Sequence, residues 1–332
     1  MEKLGENVWQ ITDHIYRIEV PLIGNPLRAI NSYLIKGEGT ELLIDTGFRR
    51  KSCREPLLKG LELLGSRREI RDVFCTHVHS DHSGLAREMA GENRRIYMHG
   101  LDLKLQREIL NDVNKGKMRH RFLKEGFPRD LLFWIQDNNP ARKGALDKVD
   151  SRFTAVSDGD VFQIGGLKLQ VVYTPGHSPG CCMLWEKEQG IMFTGDTVLF
   201  DITPNITAFA DVEDALSNYL DSLHAIRNYP VKLALPGHRE TGDYQARIDA
   251  LLRHHDKRLQ EAKRIIAEQE GLCAYEITGQ MTWKIRSRSW EDFPDTQRWY
   301  AVGECLSHLD HLLKMGEIER YEKDGIRRYR VR

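Results

Sequence analysis

Four residues of metal-binding type fall within six positions at His77-x-His79-x-Asp81-His82, directly after the short apolar run Val73-Phe74-Cys75. A buried strand that ends in a tight loop can aim all four side chains into one cleft. Imidazole and carboxylate are the nitrogen and oxygen ligands of catalytic zinc. The rest of the chain repeats the arrangement. Asp45 closes Leu42-Leu43-Ile44-Asp45-Thr46-Gly47, and His177 sits in Thr174-Pro175-Gly176-His177-Ser178. Asp196 follows in Phe193-Thr194-Gly195-Asp196-Thr197, and His238 in Leu235-Pro236-Gly237-His238. Each potential ligand follows a strand, and His177, Asp196 and His238 have a glycine directly before them. The glycines let backbone come close to the cleft.

Between these motifs the pattern alternates strands with helices. Tyr16 to Val20, Ala29 to Ile35 and Glu41 to Ile44 read as strands, and Leu57, Leu58, Leu61 and Leu64 as one helical stripe stopped by Gly65. Residues from about 100 to 152 read as helical, punctuated by Pro128 and Pro140. Strands return at Leu167 to Tyr173, Ile191 to Thr194 and Val231 to Leu235, with a helix before the last of them capped by Asp211. From about 246 the chain turns helical, with predicted helices ending at Gly271 and over 274–283 and 296–315. A hairpin closes the chain, its turn at Asp324-Gly325. Helices followed by a terminal hairpin form a winged-helix pattern.

In this order the residues match the five motifs of the metallo-β-lactamase superfamily, which residues from about 10 to 245 resemble. The resemblance implies an α+β fold: a four-layer αβ/βα sandwich with the metals at one edge, between two sheets. The implied domains are a catalytic domain over 1–245, with a helical insert at about 100–152, and a winged-helix domain over 246–332. The first metal would be held by His77, His79 and His177, and the second by Asp81, His82 and His238. Asp196 would bridge both, and Asp45 would orient ligands from behind. Two divalent ions are implied, zinc first, with iron and manganese as alternatives because His/Asp sites accept all three.

Departures from neighbouring branches narrow the resemblance. Asp196 stands where zinc β-lactamases of the best-known subclass carry Cys, and His79 where flavodiiron proteins carry Glu. The metal motifs therefore resemble the hydrolases typified by glyoxalase II. Ala301-Val302-Gly303, His308-Leu309 and Met315-Gly316-Glu317-Ile318 resemble the winged helix of one branch of the superfamily. That branch includes acyl-carrier and CoA-type thioesterases and a single-strand-specific endoribonuclease.

Two metals in one cleft lower the pKa of a bridging water, giving hydroxide at neutral pH. Asp81 and Asp196 are then the carboxylates closest to the chemistry. No Gly-x-Ser-x-Gly elbow offers a protein nucleophile. The expected reaction is hydrolysis of a thioester or similar activated acyl ester, with a small-molecule or carrier-linked substrate. The alternatives are phosphodiester hydrolysis of single-stranded RNA, and a non-catalytic winged-helix regulator with a structural metal.

Composition weighs between them. Lys+Arg and Asp+Glu are 49 each, so no bulk field draws nucleic acid or an anionic membrane. The insert has twelve basic against eight acidic residues, which suits an anionic substrate. Its Phe127, Leu131, Leu132, Phe133 and Trp134 are expected to cover an acyl chain as a lid, with Arg119, Arg121, Lys124 and Arg129 meeting phosphates. The C-terminal segment is nearly neutral, so packing against the catalytic domain or a second copy, in a homodimer, is expected over nucleic-acid binding. No apolar run is long enough to span a bilayer. The six scattered cysteines form no disulfide framework, so the expected compartment is the cytoplasm. Cys181 and Cys182 are read as small core residues, and His254 and His255 as partly exposed helix residues.

Overall fold

Alternation of apolar and polar side chains builds the sheets. Between 167 and 171, Leu167, Leu169 and Val171 point to the buried face while Lys168 and Gln170 face water. The computed structural model describes residues 1–284 and 289–332. One sheet has eight strands in sequence order: β1 (Glu2–Gly5), β2 (Val8–Gln10), β3 (Ile15–Pro21), β4 (Ala29–Gly37), β5 (Thr40–Ile44), β6 (Arg71–Phe74), β7 (Ile96–His99) and β8 (Phe153–Val156). Its first five strands are antiparallel neighbours, and from β5 to β8 the pairings are parallel. The second sheet has five strands: β9 (Val161–Ile164), β10 (Leu167–Tyr173), β11 (Cys182–Glu186), β12 (Ile191–Gly195) and β13 (Leu233–Pro236). They pair in the order β13-β12-β11-β10-β9, parallel only between β12 and β13.

The two sheets share one core. Ile15, Ile35, Leu42, Ile44 and Phe74 of the first meet Leu169, Val171, Leu184, Phe193 and Leu235 of the second. The other face of the first sheet is covered by α1 (Lys51–Leu63) through Cys53, Leu57 and Leu61. Beyond the short α2 (Ser80–Ser83), α3 (Ala86–Met89) adds Ala86 and Met89 to that cover. Strands β11 and β12 are buried at every position, so Cys182 to Trp185 and Ile191 to Phe193 read as apolar runs without alternation. Cys181 and Cys182 are both fully buried, and burial pushes both thiols far above their ordinary range. No helix among the described residues is long and apolar enough to cross a membrane.

The remaining helices are α4 (Gly100–Leu110), α5 (Val113–Lys124), α6 (Arg129–Asn138), α7 (Pro140–Lys143), α8 (Ala215–Ile226), α9 (Tyr244–Glu268), α10 (Ala274–Gln280) and α11 (Asp295–Lys314). The chain ends in an antiparallel hairpin of β14 (Ile318–Lys323) and β15 (Ile326–Val331). Asp324 and Gly325 make its turn with φ of 53° and 77°, the left-handed conformation that an Asp-Gly pair takes readily. The cap of α8 is Asp214, whose carboxylate accepts the Ser217 N–H at 2.7 Å. The expected cap, Asp211, instead pairs with Lys117.

The chain divides into two compact units that are not linear segments. Met1–Leu110, Pro140–Pro204 and Ile226–Arg247 form one; Asn111–Asn139, Asn205–Ala225 and Ile248–Arg332 form the other. This division does not follow a boundary at 245/246, because the middle of the insert goes with the C-terminal segment. The physical reason is apolar surface. Met118, Phe122, Phe127, Leu132 and Ile135 of the insert share a core with Ala262, Ile265, Ile277, Leu306 and Leu309.

That second core also holds a histidine pair. His255 is fully buried rather than partly exposed, and its Nδ1 lies 3.1 Å from His308 Nε2. His308 Nδ1 donates to the Glu304 carbonyl at 2.8 Å, so in the neutral ring Nε2 is the acceptor that takes the His255 Nδ1 proton. Burial, helped by the Arg258 charge, outweighs that carbonyl contact and holds His308 down at about 3. Burial beside His308 and His254 holds His255 well below the usual range. Below pH 6.5 the unfolded chain binds protons that the folded chain refuses. Stability from this pair is therefore full above that pH and falls as pH drops toward 3. At pH 5 the cost from His308 alone is on the order of 2 kcal/mol. Denaturant midpoints between pH 7.5 and 5 are expected to fall more steeply for the parent protein than for His308→Gln. Identical slopes would rule out the pair as the source.

Candidate metal centre

The strands that carry the expected residues end at one edge of the sandwich. In the parallel pairs, Ile44 lies opposite Phe74 and Gly195 opposite Pro236, so Asp45, the His77 loop, Asp196 and His238 leave the sheets side by side. Two backbone bonds tie the sheets there: Cys182 N–H donates to the Thr76 carbonyl at 2.9 Å, and Asn31 N–H to the Gly237 carbonyl at 2.7 Å. Close approach explains the glycine before His238. A Cβ on Gly237 would sit 2.6 Å from Asp196 Oδ1 and 2.9 Å from His82 Cε1. Any side chain there would fill the cleft.

The seven expected residues form three overlapping groups whose ligand atoms lie within 4.8 Å of one another: His77 with His79 and His177, Asp81 with His82 and His238, and His77 with His82 and Asp196. The third group draws one histidine from each of the others and adds Asp196 between them. All seven are buried except His79, which is partly buried.

Hydrogen bonds behind the rings fix which nitrogens face inward. Asp45 has a left-handed backbone (φ 58°), which aspartate tolerates, at the end of β5. Its Oδ2 takes His82 Nδ1 at 2.7 Å and the Thr76 hydroxyl at 2.8 Å, while Oδ1 takes the Thr76 N–H at 2.8 Å. His238 Nδ1 donates to the Ala29 carbonyl at 2.7 Å. Both rings thus spend their Nδ1 proton outward and turn an Nε2 lone pair inward. Those two Nε2 atoms are 3.3 Å apart. Carboxylate oxygens close around them: Asp196 Oδ1 at 3.4 Å from His82 Nε2, and Asp81 Oδ2 at 3.4 Å from His238 Nε2. Acceptors converging on acceptors in a buried pocket need a cation, and the donor set fits divalent metal ions.

The electrostatics show the same demand for positive charge, which protons on the His82 and His238 rings meet where an ion does not. Burial opposes charge on His82, but Asp196 and Asp45 outweigh it and hold the ring well above its ordinary range; His238 is raised by Asp196 and Asp81 against the same burial. Burial raises the carboxylates, yet His238 and His82 bring Asp81 down to about 2 and Asp196 lower still. His77 and His79 go the other way: burial, then crowding by neighbouring histidines, keeps His77 well below its usual value, and His79 at about 3. One half of the site is a field of anions and the other a cluster of neutral imidazoles.

Residues 25–238 match the family model of the Metallo-beta-lactamase superfamily. The chain belongs to the metallo-beta-lactamase superfamily. Its members are hydrolases, and this chain carries the buried His/Asp groups for metal-dependent hydrolysis. The superfamily fold extends along the chain: a beta-lactamase domain protein from Burkholderia ambifaria matches with TM-score 0.85 at 26% identity, covering 98% of this chain and 94% of that one. Beta-lactamase-like protein 2 homolog from Caenorhabditis elegans is 26% identical across 96% of this chain and 88% of its own length. The human acyl-coenzyme A thioesterase MBLAC2 is 25% identical across 72% of this chain and 81% of its own length.

Two residues of this site went unread in the sequence. Thr76 links Asp45 to the His77 ring, its hydroxyl 3.0 Å from His77 Nδ1. Asp102, fully buried in α4, reaches both the His77–His79 loop and the loop after His177; burial pushes it up to about 6 against three hydrogen bonds. The insert was misread in the other direction. Phe127 and Leu132 are buried in the second unit's core, and Phe133 lies under the guanidinium groups of Arg119 and Arg129, 4.0 and 5.2 Å from its ring centre. Arg121 pairs with Asp310 and Lys124 with Glu322, so two of the four expected phosphate-binding cations are ion-paired within their own unit.

Proposed function

We propose that the chain is a two-metal hydrolase acting on thioesters or closely related activated acyl esters, with zinc as the resident metal. The observation that carries the reading is the overlap of the three ligand groups. On this reading, His77, His79 and His177 hold one ion, Asp81, His82 and His238 hold the other, and Asp196 stands between them. Bound there, the ions would supply a water of lowered pKa and a Lewis acid for the acyl carbonyl. Asp45 keeps the His82 proton on Nδ1 and so presents Nε2 to the site. The backbone of Gly237 leaves the space beside Asp196 and His82 open.

Thioesters are favoured for a chemical reason. A thiolate leaves without a strong general acid, and the groups that converge here are ligand groups already engaged. The human relative's acyl-coenzyme A thioesterase activity points the same way. The test is a side-by-side assay of acyl-CoA thioesters, hydroxyacyl-glutathione and labelled single-stranded RNA, with metal content measured on the same preparation. Thioester cleavage with about two zinc ions per chain is expected. Efficient RNA cleavage with every thioester ignored would replace this reading by a phosphodiesterase.

For the C-terminal helices and hairpin we propose a winged-helix-type module that serves assembly rather than nucleic-acid binding. Three arginines of β15 are engaged within the unit: Arg327, Arg328 and Arg330 reach Glu125, Glu276 and Glu319 at 3.0, 3.1 and 2.8 Å. A nucleic-acid face needs its cations free for phosphate.

A further inference from the structure

We infer that Asp102 is a positioning residue that locks together the two loops carrying His77, His79 and His177, and so sets the affinity of that metal position and not of the other. The inference rests on the metal reading proposed above. Asp102 lies in the first turn of α4 with no exposed surface. Its Oδ2 accepts the Val78 N–H at 2.8 Å and the Ser178 hydroxyl at 2.6 Å. Its Oδ1 accepts the Gly180 N–H at 2.6 Å. Val78 lies between two of the three histidines, and Ser178 directly follows the third. One carboxylate thus joins loops about 100 residues apart in sequence. None of its three partners is charged.

The packing of Gly180 is a second, independent sign. A Cβ there would sit 2.7 Å from the Asp102 nitrogen and 2.8 Å from its Cγ, so the loop after His177 lies directly on the aspartate. The geometry also demands an anion. All three partners are donors, and two are backbone N–H groups that cannot turn away. An Asn side chain would put an NH2 against the Val78 N–H or the Gly180 N–H in either orientation, breaking the clamp without changing its volume. By contrast, the histidines of the other group are held by other contacts: His82 by Asp45, and His238 by the Ala29 carbonyl. Loss of a partner that orients ligands lowers metal affinity by roughly 10–100-fold.

The test uses the full chain, stripped of metal and titrated with Zn²⁺ against a chromophoric chelator. His177→Ala marks which of the two binding steps belongs to His77, His79 and His177. Asp102→Asn is expected to weaken that step by about 10–100-fold and to leave the other within about 3-fold. Ser178→Ala, which removes one of the three bonds and keeps the buried carboxylate paired, is expected to weaken the same step by less. It decides the matter if Asp102→Asn does not fold. Unchanged affinity in the folded variants, or equal weakening of both steps, overturns the inference while leaving the metal centre intact. A parent protein that binds no metal overturns both.

Discussion

Asp196→Ala is expected to lower turnover by at least about 10³-fold while the protein stays folded, the scale on which a single charged or polar group acting on a transition state is felt. Asp196 belongs to no apolar cluster, so the sandwich loses no packing with it. It is the one member of the third ligand group that belongs to neither of the others, and its oxygens lie 3.4 to 3.6 Å from the Nε2 atoms of His82, His177 and His238. Removing it leaves two half-sites with nothing between them. Elemental analysis is expected to show metal falling from about two ions per chain to about one or fewer. Circular dichroism should be unchanged. A folded Asp196→Ala protein with near-normal kcat would remove this carboxylate from the mechanism.

Phe122→Ala carries the largest expected loss of stability, about 3–5 kcal/mol. Phe122 is fully buried, stacked on Trp299 with ring centres 4.2 Å apart and planes at 12°, and packed against Phe127 at 5.5 Å. Truncation removes both ring contacts and leaves a cavity that neighbouring helices close only in part. Urea denaturation followed by tryptophan fluorescence reads it well, because Trp299 is the ring left uncovered. Trp134→Ala is the control: that side chain is 52% exposed, and its loss is expected to cost at most about 0.5 kcal/mol. If Phe122→Ala costs no more than the control, the insert is not part of the second unit's core.

These two residues mark the extremes of what the sequence disclosed. Asp196 was legible because its surroundings are local: an apolar strand, a glycine and a carboxylate in five consecutive residues, repeated around the other ligand types. The terminal hairpin was legible for the same reason, from Asp324-Gly325. Phe122 and its neighbours were not. An amphipathic helix announces that one face is covered but not by what, and the aromatic run near 127–134 was read as a lid when Phe127 and Leu132 are core. Asp102 was invisible for a related reason. A single acid in a charged helical stretch looks solvated, and its three partners are 24 to 78 positions away. Short strands such as β7 and β8 escaped because four residues are too few to show a period.

The interleaving of the two units also imposes an order on the chain's birth. The apolar faces of α5 and α6 leave the ribosome early, yet Leu306 and Leu309, which cover them, lie on α11, roughly 170 residues downstream. At about 5–20 residues per second, those faces stay incompletely covered for roughly 10–35 s. A nascent chain stopped before α11 would leave those helices short of part of their cover, so a chaperone that binds exposed apolar surface has a defined window and a defined client segment, 111–139. The same interleaving means that the C-terminal segment cannot be exchanged among relatives as a cassette unless the stretches at 111–139 and 205–225 travel with it.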